Sequence, residues 1–214
     1  MKINKYIDHT LLKADASKEQ IKVLCEEAIT YDFASVCVNS YWVETCKKLL
    51  KNSDVKVCTV VGFPLGAMST EAKAFEARQA VLDGADELDM VINIGALKAG
   101  DNAAVQSDIE AVIEAAQGAC VKVILETCLL SKAEIVRGCE ICADTKADFV
   151  KTSTGFSTAG ATTADVKLMK EAVKSRCKVK AAGGISTYED MMTMIQAGAD
   201  RIGTSKGVAL ISQK

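Results

Sequence analysis

Asp89, Lys151 and Lys180 stand where an apolar strand pattern makes a charge costly unless it is paired or solvated. Asp89 lies inside Glu87-Leu88-Asp89-Met90-Val91-Ile92-Asn93 and shares one face with Glu87 and Val91 by the period of two. Lys151 ends Phe149-Val150-Lys151, just ahead of a loop rich in glycine and hydroxyls. Two alanines separate Lys180 from Gly183-Gly184. A lysine attacks a carbonyl only as the free amine, and an ordinary pKa near 10.4 leaves little of that form at neutral pH. A second ammonium about 6 Å away, at an effective dielectric near 20, adds roughly 2.8 kcal/mol of repulsion and lowers the first pKa by about two. Partial burial acts in the same direction. Such an amine forms a Schiff base, an electron sink for an adjacent C–C bond, while a neighbouring carboxylate moves protons. Taken singly, Asp89 also fits a satisfied buried carboxylate. Lys56 and Lys122, each between two valines at the start of a strand pattern, read as side chains that reach solvent.

A second theme is anion recognition. Thr152-Ser153-Thr154-Gly155-Phe156-Ser157-Thr158, Gly183-Gly184-Ile185-Ser186 and Gly203-Thr204-Ser205 follow the last three strand patterns. Small residues let backbone amides approach a phosphate, and hydroxyls and helix N-termini add donors. A lone Gly-Gly is usually only a turn. Three such turns in succession point to a substrate that carries a phosphate.

These residues need a frame, and the chain supplies one by its rhythm. Short β-branched runs alternate with segments of helical period. Strand patterns occupy Tyr6–Asp8, Ser35–Asn39, Val55–Gly62, Glu87–Asn93, Val121–Thr127, Asp148–Ser153, Val179–Ala182 and Arg201–Thr204. Ser17…Gln20, Ser131…Glu134 and Ser186…Glu189 fit the capping box at helix starts. Gly84, Gly118 and Gly198 sit where helices should end in a left-handed residue. Ala85-Asp86, Ala147-Asp148 and Ala199-Asp200 repeat one turn before a strand, which reads as structural. Repeated strand–helix units imply parallel strands with right-handed crossovers. Eight units predict an α/β fold, a (β/α)8 TIM barrel over residues 1–214, at a compact pitch of about 27 residues per unit. An open doubly wound sheet is the competing architecture, but no GxGxxG opens the first unit. In a barrel, working residues lie at the C-terminal ends of strands, where Lys151 falls.

Composition narrows the function. With 214 residues and 49% apolar content, the chain can bury roughly 70% of its unfolded surface, enough for a full core. A net charge of −2 gives no footprint for nucleic acid or an anionic membrane. The opening Met1-Lys2-Ile3-Asn4-Lys5-Tyr6 has no apolar secretory core, and nine cysteines is an odd number, so a reducing cytoplasm with free thiols is expected. Cys139-Glu140-Ile141-Cys142 is a CxxC within a helical pattern, and it reads as two packed cysteines because nothing nearby completes a zinc set. Homodimerisation is the base-rate expectation for a soluble enzyme.

Taken together, these motifs resemble the deoxyribose-phosphate aldolase family of class I aldolases. The resemblance runs nearly end to end through Tyr6-Ile7-Asp8-His9-Thr10-Leu11-Leu12, Val36-Cys37-Val38-Asn39, Val60-Val61-Gly62-Phe63-Pro64-Leu65-Gly66, the Asp89 segment, Val150-Lys151-Thr152-Ser153-Thr154-Gly155-Phe156 and Val179-Lys180-Ala181-Ala182-Gly183-Gly184-Ile185. It implies a TIM barrel that reversibly cleaves 2-deoxyribose 5-phosphate to glyceraldehyde 3-phosphate and acetaldehyde, in deoxyribose catabolism. By resemblance, Lys151 is the Schiff-base lysine, Lys180 its pKa-lowering partner and proton-transfer group, and Asp89 the acid/base residue. Gly155, Gly183, Gly184, Gly203 and Ser205 match the phosphate turns, while Asp8, Thr10 and Cys37 match pocket-lining positions. His9, the single histidine, is expected to be positioning or structural. Neither a metal nor an organic cofactor is implied, because the imine supplies the electron sink. Some family members end in a tail with a terminal tyrosine that aids proton exchange. Here the sequence ends Ile211-Ser212-Gln213-Lys214 and the last tyrosine is Tyr188, so a relay of Lys180 and Asp89 through water is the expected substitute. A phosphosugar isomerase or epimerase would share the phosphate turns without needing two lysines. A non-catalytic phosphosugar-binding protein would not be expected to keep Asp89, Lys151 and Lys180 together.

Overall fold

The structure is a computed structural model describing residues 2–212. Met1, Gln213 and Lys214, which enter the readings of the two chain ends, lie outside the described residues. Eight parallel strands close a barrel in sequence order: β1 (Ile7–Leu11), β2 (Ser35–Val38), β3 (Lys56–Val61), β4 (Glu87–Val91), β5 (Cys120–Ile124), β6 (Phe149–Lys151), β7 (Lys178–Ala182) and β8 (Arg201–Thr204). Helices α1 (Lys18–Thr30), α2 (Val43–Leu49) and α3 (Thr70–Leu82) follow the first three strands, and α4 (Ile94–Ala99) and α5 (Asn102–Ala115) both follow β4. The remaining strands lead to α6 (Lys132–Asp144), α7 (Thr163–Val173), α8 (Tyr188–Gln196) and α9 (Gly207–Ser212). The expected TIM barrel is therefore the observed fold.

Strand ends differ from expectation for local reasons. β1 runs on to Leu11 because Thr10 and Leu11 pair with Cys37 and Val38. β6 is shorter than expected, and the residues flanking it tie the neighbouring strands by side chain: Asp148 Oδ2 accepts from Val121 N–H, and Thr152 Oγ1 accepts from Ala182 N–H. The repeated Ala-Asp turn has one geometry throughout. Asp86, Asp148 and Asp200 each accept the backbone N–H of Val57, Val121 and Val179, each at 2.9 Å, so alternate strands begin on a carboxylate from the following turn.

Capping boxes form at Ser17/Gln20 and Ser131/Glu134 as expected. The third sits one residue later than Ser186/Glu189, at Thr187/Asp190. Asp190 takes the N–H groups of both Ser186 and Thr187, at 3.1 and 3.0 Å, and so fixes the helix start. Gly84, Gly118 and Gly198 adopt φ of 107°, 92° and 112°, the left-handed side that ends the preceding helices.

Outward strand residues such as Val36, Leu88, Met90, Val123, Val150, Val179 and Ile202 pack under the helices in one apolar core. The inward faces form layers of four, each layer drawn from alternate strands. Toward the N-terminal end lie Ser35, Glu87, Phe149 and Arg201; next come Asp8, Cys58, Lys122 and Lys180; above them are Cys37, Asp89, Lys151 and Gly203. Branched aliphatic residues usually fill such layers. Here they hold four cations and three carboxylates, so ion pairing replaces much of the apolar packing.

Candidate active site

Asp89 is the hub of these layers and has no exposed surface. Its Oδ2 accepts from Lys151 Nζ and Lys180 Nζ, both at 2.7 Å. The two amines are thus less than twice that distance apart. Its Oδ1 accepts from Lys122 Nζ at 2.7 Å and from the Cys58 thiol at 3.1 Å. Burial pushes the Asp89 carboxyl up, but Lys122, Lys151 and Lys180 outweigh it and hold the group well below the carboxylate range. Lys180 also pairs with Asp8 at 2.5 Å. Burial pulls Lys180 down, and Asp8 with Asp89 more than reverses this, so it remains an ammonium. Asp8 is pushed up by burial and held down by Arg201, Lys180 and Lys122.

Lys122 corrects the sequence reading. It was expected to reach solvent, yet it is fully buried. It bonds Asp89 Oδ1 and Glu87 Oε2, each at 2.7 Å, and reaches Cys58 Sγ at 3.3 Å. A lysine between two valines has the same alternation whether its own face meets water or the inside of a barrel. Lys56, at the edge of β3, is exposed as expected. Paired carboxylates hold Lys122 as an ammonium against the effect of burial.

Two further members escaped the sequence reading, Glu87 and Arg201. Arg201 grips Asp8 and also bonds Glu87 Oε2 at 3.0 Å. Ion pairs therefore run unbroken from Arg201 through Asp8 and Glu87 to Lys180 and Lys122, then Asp89, and end at Lys151 nearest the mouth. Glu87 shares the face of Asp89 by the period of two, and that was the available signal.

Of the expected pocket-lining residues, Thr10 is partly exposed above the layers, Cys37 is buried in the layer of Lys151, and Asp8 lies one layer deeper. Gly155 and Gly183, with φ of 85° and 86°, come together where the loops after β6 and β7 touch. Gly160 joins them, since a Cβ there would lie 2.2 Å from Gly183 O. Gly184 and Ser205 are exposed on the loops after β7 and β8. Gly203 differs from the other turn glycines. It lies within β8, and a Cβ would come 3.2 Å from Lys180 Cε, so its bare backbone makes room for the lysine stem.

Glu126, left-handed at φ 58° and buried, accepts from the Thr154 hydroxyl and backbone N–H. It ties the loop after β5 to the loop that follows Lys151. His9 faces outward from β1, bonds Glu27 at 2.6 Å and packs on Phe33, which fits a structural role. Cys139 and Cys142 are packed in α6 as expected. Among the described residues, no helix is long and apolar enough to cross a membrane.

Comparison with known proteins agrees with this geometry. The model of the DeoC/LacD family aldolases matches residues 2–211. A deoxyribose-phosphate aldolase of Streptococcus pneumoniae serotype 19F (strain G54) is 62% identical over 211 residues, covering 99% of this chain and 96% of the relative. One from Finegoldia magna is 60% identical, covering 99% of both chains. Among solved structures, a tetrameric deoxyribose phosphate aldolase from Aeropyrum pernix superposes with a TM-score of 0.92 at 34% identity, over 98% of this chain and 89% of that one. The matched family spans the whole ion-paired interior from Asp8 to Arg201, and the chain belongs to the DeoC/LacD family of aldolases.

Proposed function

We propose that this chain is a class I aldolase that reversibly cleaves 2-deoxy-D-ribose 5-phosphate to D-glyceraldehyde 3-phosphate and acetaldehyde. The observation that carries the reading is the meeting of Lys151 and Lys180 on one oxygen of buried Asp89, each at 2.7 Å. Two amines so close repel by roughly 3 kcal/mol at an effective dielectric near 20. Four cations face three carboxylates in the cluster, so loss of one proton balances the buried charge. Lys151, at the end nearest the mouth, is the amine that an entering carbonyl compound meets first.

The free amine of Lys151 adds to the aldehyde carbon of the open sugar, giving a carbinolamine that loses water to form the imine. A proton leaves the hydroxyl on the third carbon, the C2–C3 bond breaks, and its electron pair moves into the protonated imine. Glyceraldehyde 3-phosphate departs and an enamine remains on Lys151. Protonation of the enamine carbon and hydrolysis release acetaldehyde and restore the amine. Asp89 and Lys180, through a water, carry these protons in both directions. Gly155, Gly183, Gly184 and Ser205 hold the phosphate, and Gly203 gives Lys180 its space. The imine is the electron sink, so the steps need no metal or organic cofactor.

Homo-oligomerisation belongs to the same reading. It is supported by the tetrameric Aeropyrum pernix relative and by exposed Phe75 and Leu82, seven residues apart on α3. A reducing cytoplasm suits nine cysteines that form no disulfide.

Borohydride trapping with acetaldehyde, followed by peptide mapping, tests the chemistry. An ethyl adduct on Lys151, absent from Lys151→Ala, is expected. An adduct on Lys180 instead would exchange the two lysines' roles. Protein that binds the phosphosugar yet traps nothing would end the aldolase reading in favour of an isomerase or a binding protein.

A further inference from the structure

We infer that Cys37, Cys58 and Asp89 form a site for a soft divalent metal ion, of the class of Cd2+ or Zn2+, inside the barrel, and that filling it silences the aldolase. Cys37 and Cys58 are register partners on β2 and β3, both fully buried and both turned inward. Their sulfurs and an Asp89 oxygen all lie within 4.8 Å of one another. The Cys58 thiol already donates to Asp89 Oδ1 at 3.1 Å, so the donor atoms converge before any ion arrives. Two thiolates and one carboxylate suit soft or borderline metals rather than Mg2+ or Ca2+, and the ion takes the place of the Lys122 ammonium on Cys58 Sγ and Asp89 Oδ1.

Spacing suits either a metal bridge or a disulfide. Paired parallel strands hold neighbouring residues about 4.7–4.9 Å apart, inside the roughly 4.4–6.8 Å Cα range of a disulfide. Metal–sulfur bonds of about 2.3 Å bridge the same gap, and the Asp89 oxygen beside both sulfurs supplies a third donor that only a metal uses.

Charge also permits the exchange. Binding replaces two thiol protons by one doubly charged ion, M2+ + 2 RSH + RCOO− → [M(SR)2(OOCR)]− + 2 H+, which leaves the net charge of the lysine-rich cluster unchanged. Lys122 keeps Glu87 at 2.7 Å when the ion takes Asp89 Oδ1. Cys37 occupies the layer of Lys151, so a path that admits a carbonyl substrate to that lysine brings a small ion to the thiols. An ion on Oδ1 draws the carboxylate's charge away from Oδ2 and so weakens its hold on Lys151 and Lys180.

Cd2+ titration of the reduced, metal-free enzyme tests this, read by the ultraviolet thiolate-to-metal charge-transfer band, by proton release and by activity. One ion per chain, two protons per ion, and activity lost in step with the band and restored by a chelator are expected. Cys37→Ala and Cys58→Ser should each weaken binding by at least about tenfold. Circular dichroism checks that both variants fold, and a Cys139→Ala/Cys142→Ala protein should bind Cd2+ as the parent does. The site is overturned if the parent shows no band or releases fewer than two protons per ion. It is equally overturned if the band survives in the Cys37 and Cys58 variants or disappears from the Cys139/Cys142 protein. A Cys37–Cys58 disulfide formed under mild peroxide, in protein that binds no Cd2+, would replace the metal site with a redox pair. Because band and proton release do not depend on turnover, the result stands apart from the fate of the aldolase reading.

Discussion

Asp89 divides its two oxygens: Oδ2 faces Lys151 and Lys180, while Oδ1 is anchored from behind by Lys122 and Cys58. Lys122 therefore holds the hub still although it touches neither mouth nor solvent. Replacing it with alanine removes one cation from both Glu87 and Asp89, and losing one side of a buried pair costs about 3–5 kcal/mol. Urea unfolding of Lys122→Ala should show a loss in that range, with kcat falling far more than KM rises. Near-parental stability would mean that the remaining cations replace it. A second expectation concerns thiol reactivity. Burial pushes the Cys120 and Cys177 thiols up to about 12. Burial pushes the partly buried Cys128 thiol up, but Ser157, Thr158 and the Ala159 backbone together outweigh it and draw the group below the ordinary thiol value. Iodoacetamide at neutral pH should modify Cys128 first among the nine cysteines, as peptide mapping would reveal. Ser157 lies 3.4 Å from that sulfur on the loop after Lys151, so modification should raise KM for the phosphorylated substrate.

Among the elements, the loops after β6 and β7 are locked by contact rather than by regular structure. Gly160→Ala would place a Cβ 2.2 Å from Gly183 O and force the two loops apart. The expected result is weaker binding of 2-deoxyribose 5-phosphate, with imine trapping of bare acetaldehyde on Lys151 retained. Loss of both would mean that the loops set the lysine itself. By contrast, the Ala-Asp turns brace strand starts at the opposite end of the barrel from the mouth. Asp200→Ala removes the acceptor for Val179 N–H and the partner of Lys170. It should cost about 1–3 kcal/mol in a thermal or urea melt and leave kcat unchanged.

Across the whole molecule, the ion-paired interior ties stability to pH with a definite sign. Asp8 and Asp89 are held below their ordinary 3.8, so their contribution is complete above that value and is lost as pH falls through the folded values. Lys122 and Lys180 are held above 10.5, so theirs is complete below that value and fades only in strong alkali. Denaturant melts should therefore give a plateau between roughly pH 5 and 9 from these groups, with an acid-side fall. A maximum near pH 7 with losses on both sides inside that window would locate the pH dependence elsewhere.

Alternating strand and helix patterns, capping residues and the thrice-used Ala-Asp turn are local signals, so the sequence by itself determined the barrel. The same locality made Lys151, Lys180 and Asp89 legible, since each breaks an apolar strand at a position that must face inward and toward the mouth. Lys122 had the same strand alternation and was read as solvent-facing, because period alone does not distinguish a water-facing side from a charged interior. Glu87 on β4 and Arg201 on β8 are 114 positions apart in the chain and meet only across the interior of the closed barrel. Gly203 reads in sequence as part of a phosphate turn, and only the pairing of β7 with β8 shows that it also lies against the stem of Lys180. What the tertiary structure decided was which charges share a layer, since ion pairing depends on separation in space and the chain order of the partners leaves that separation open.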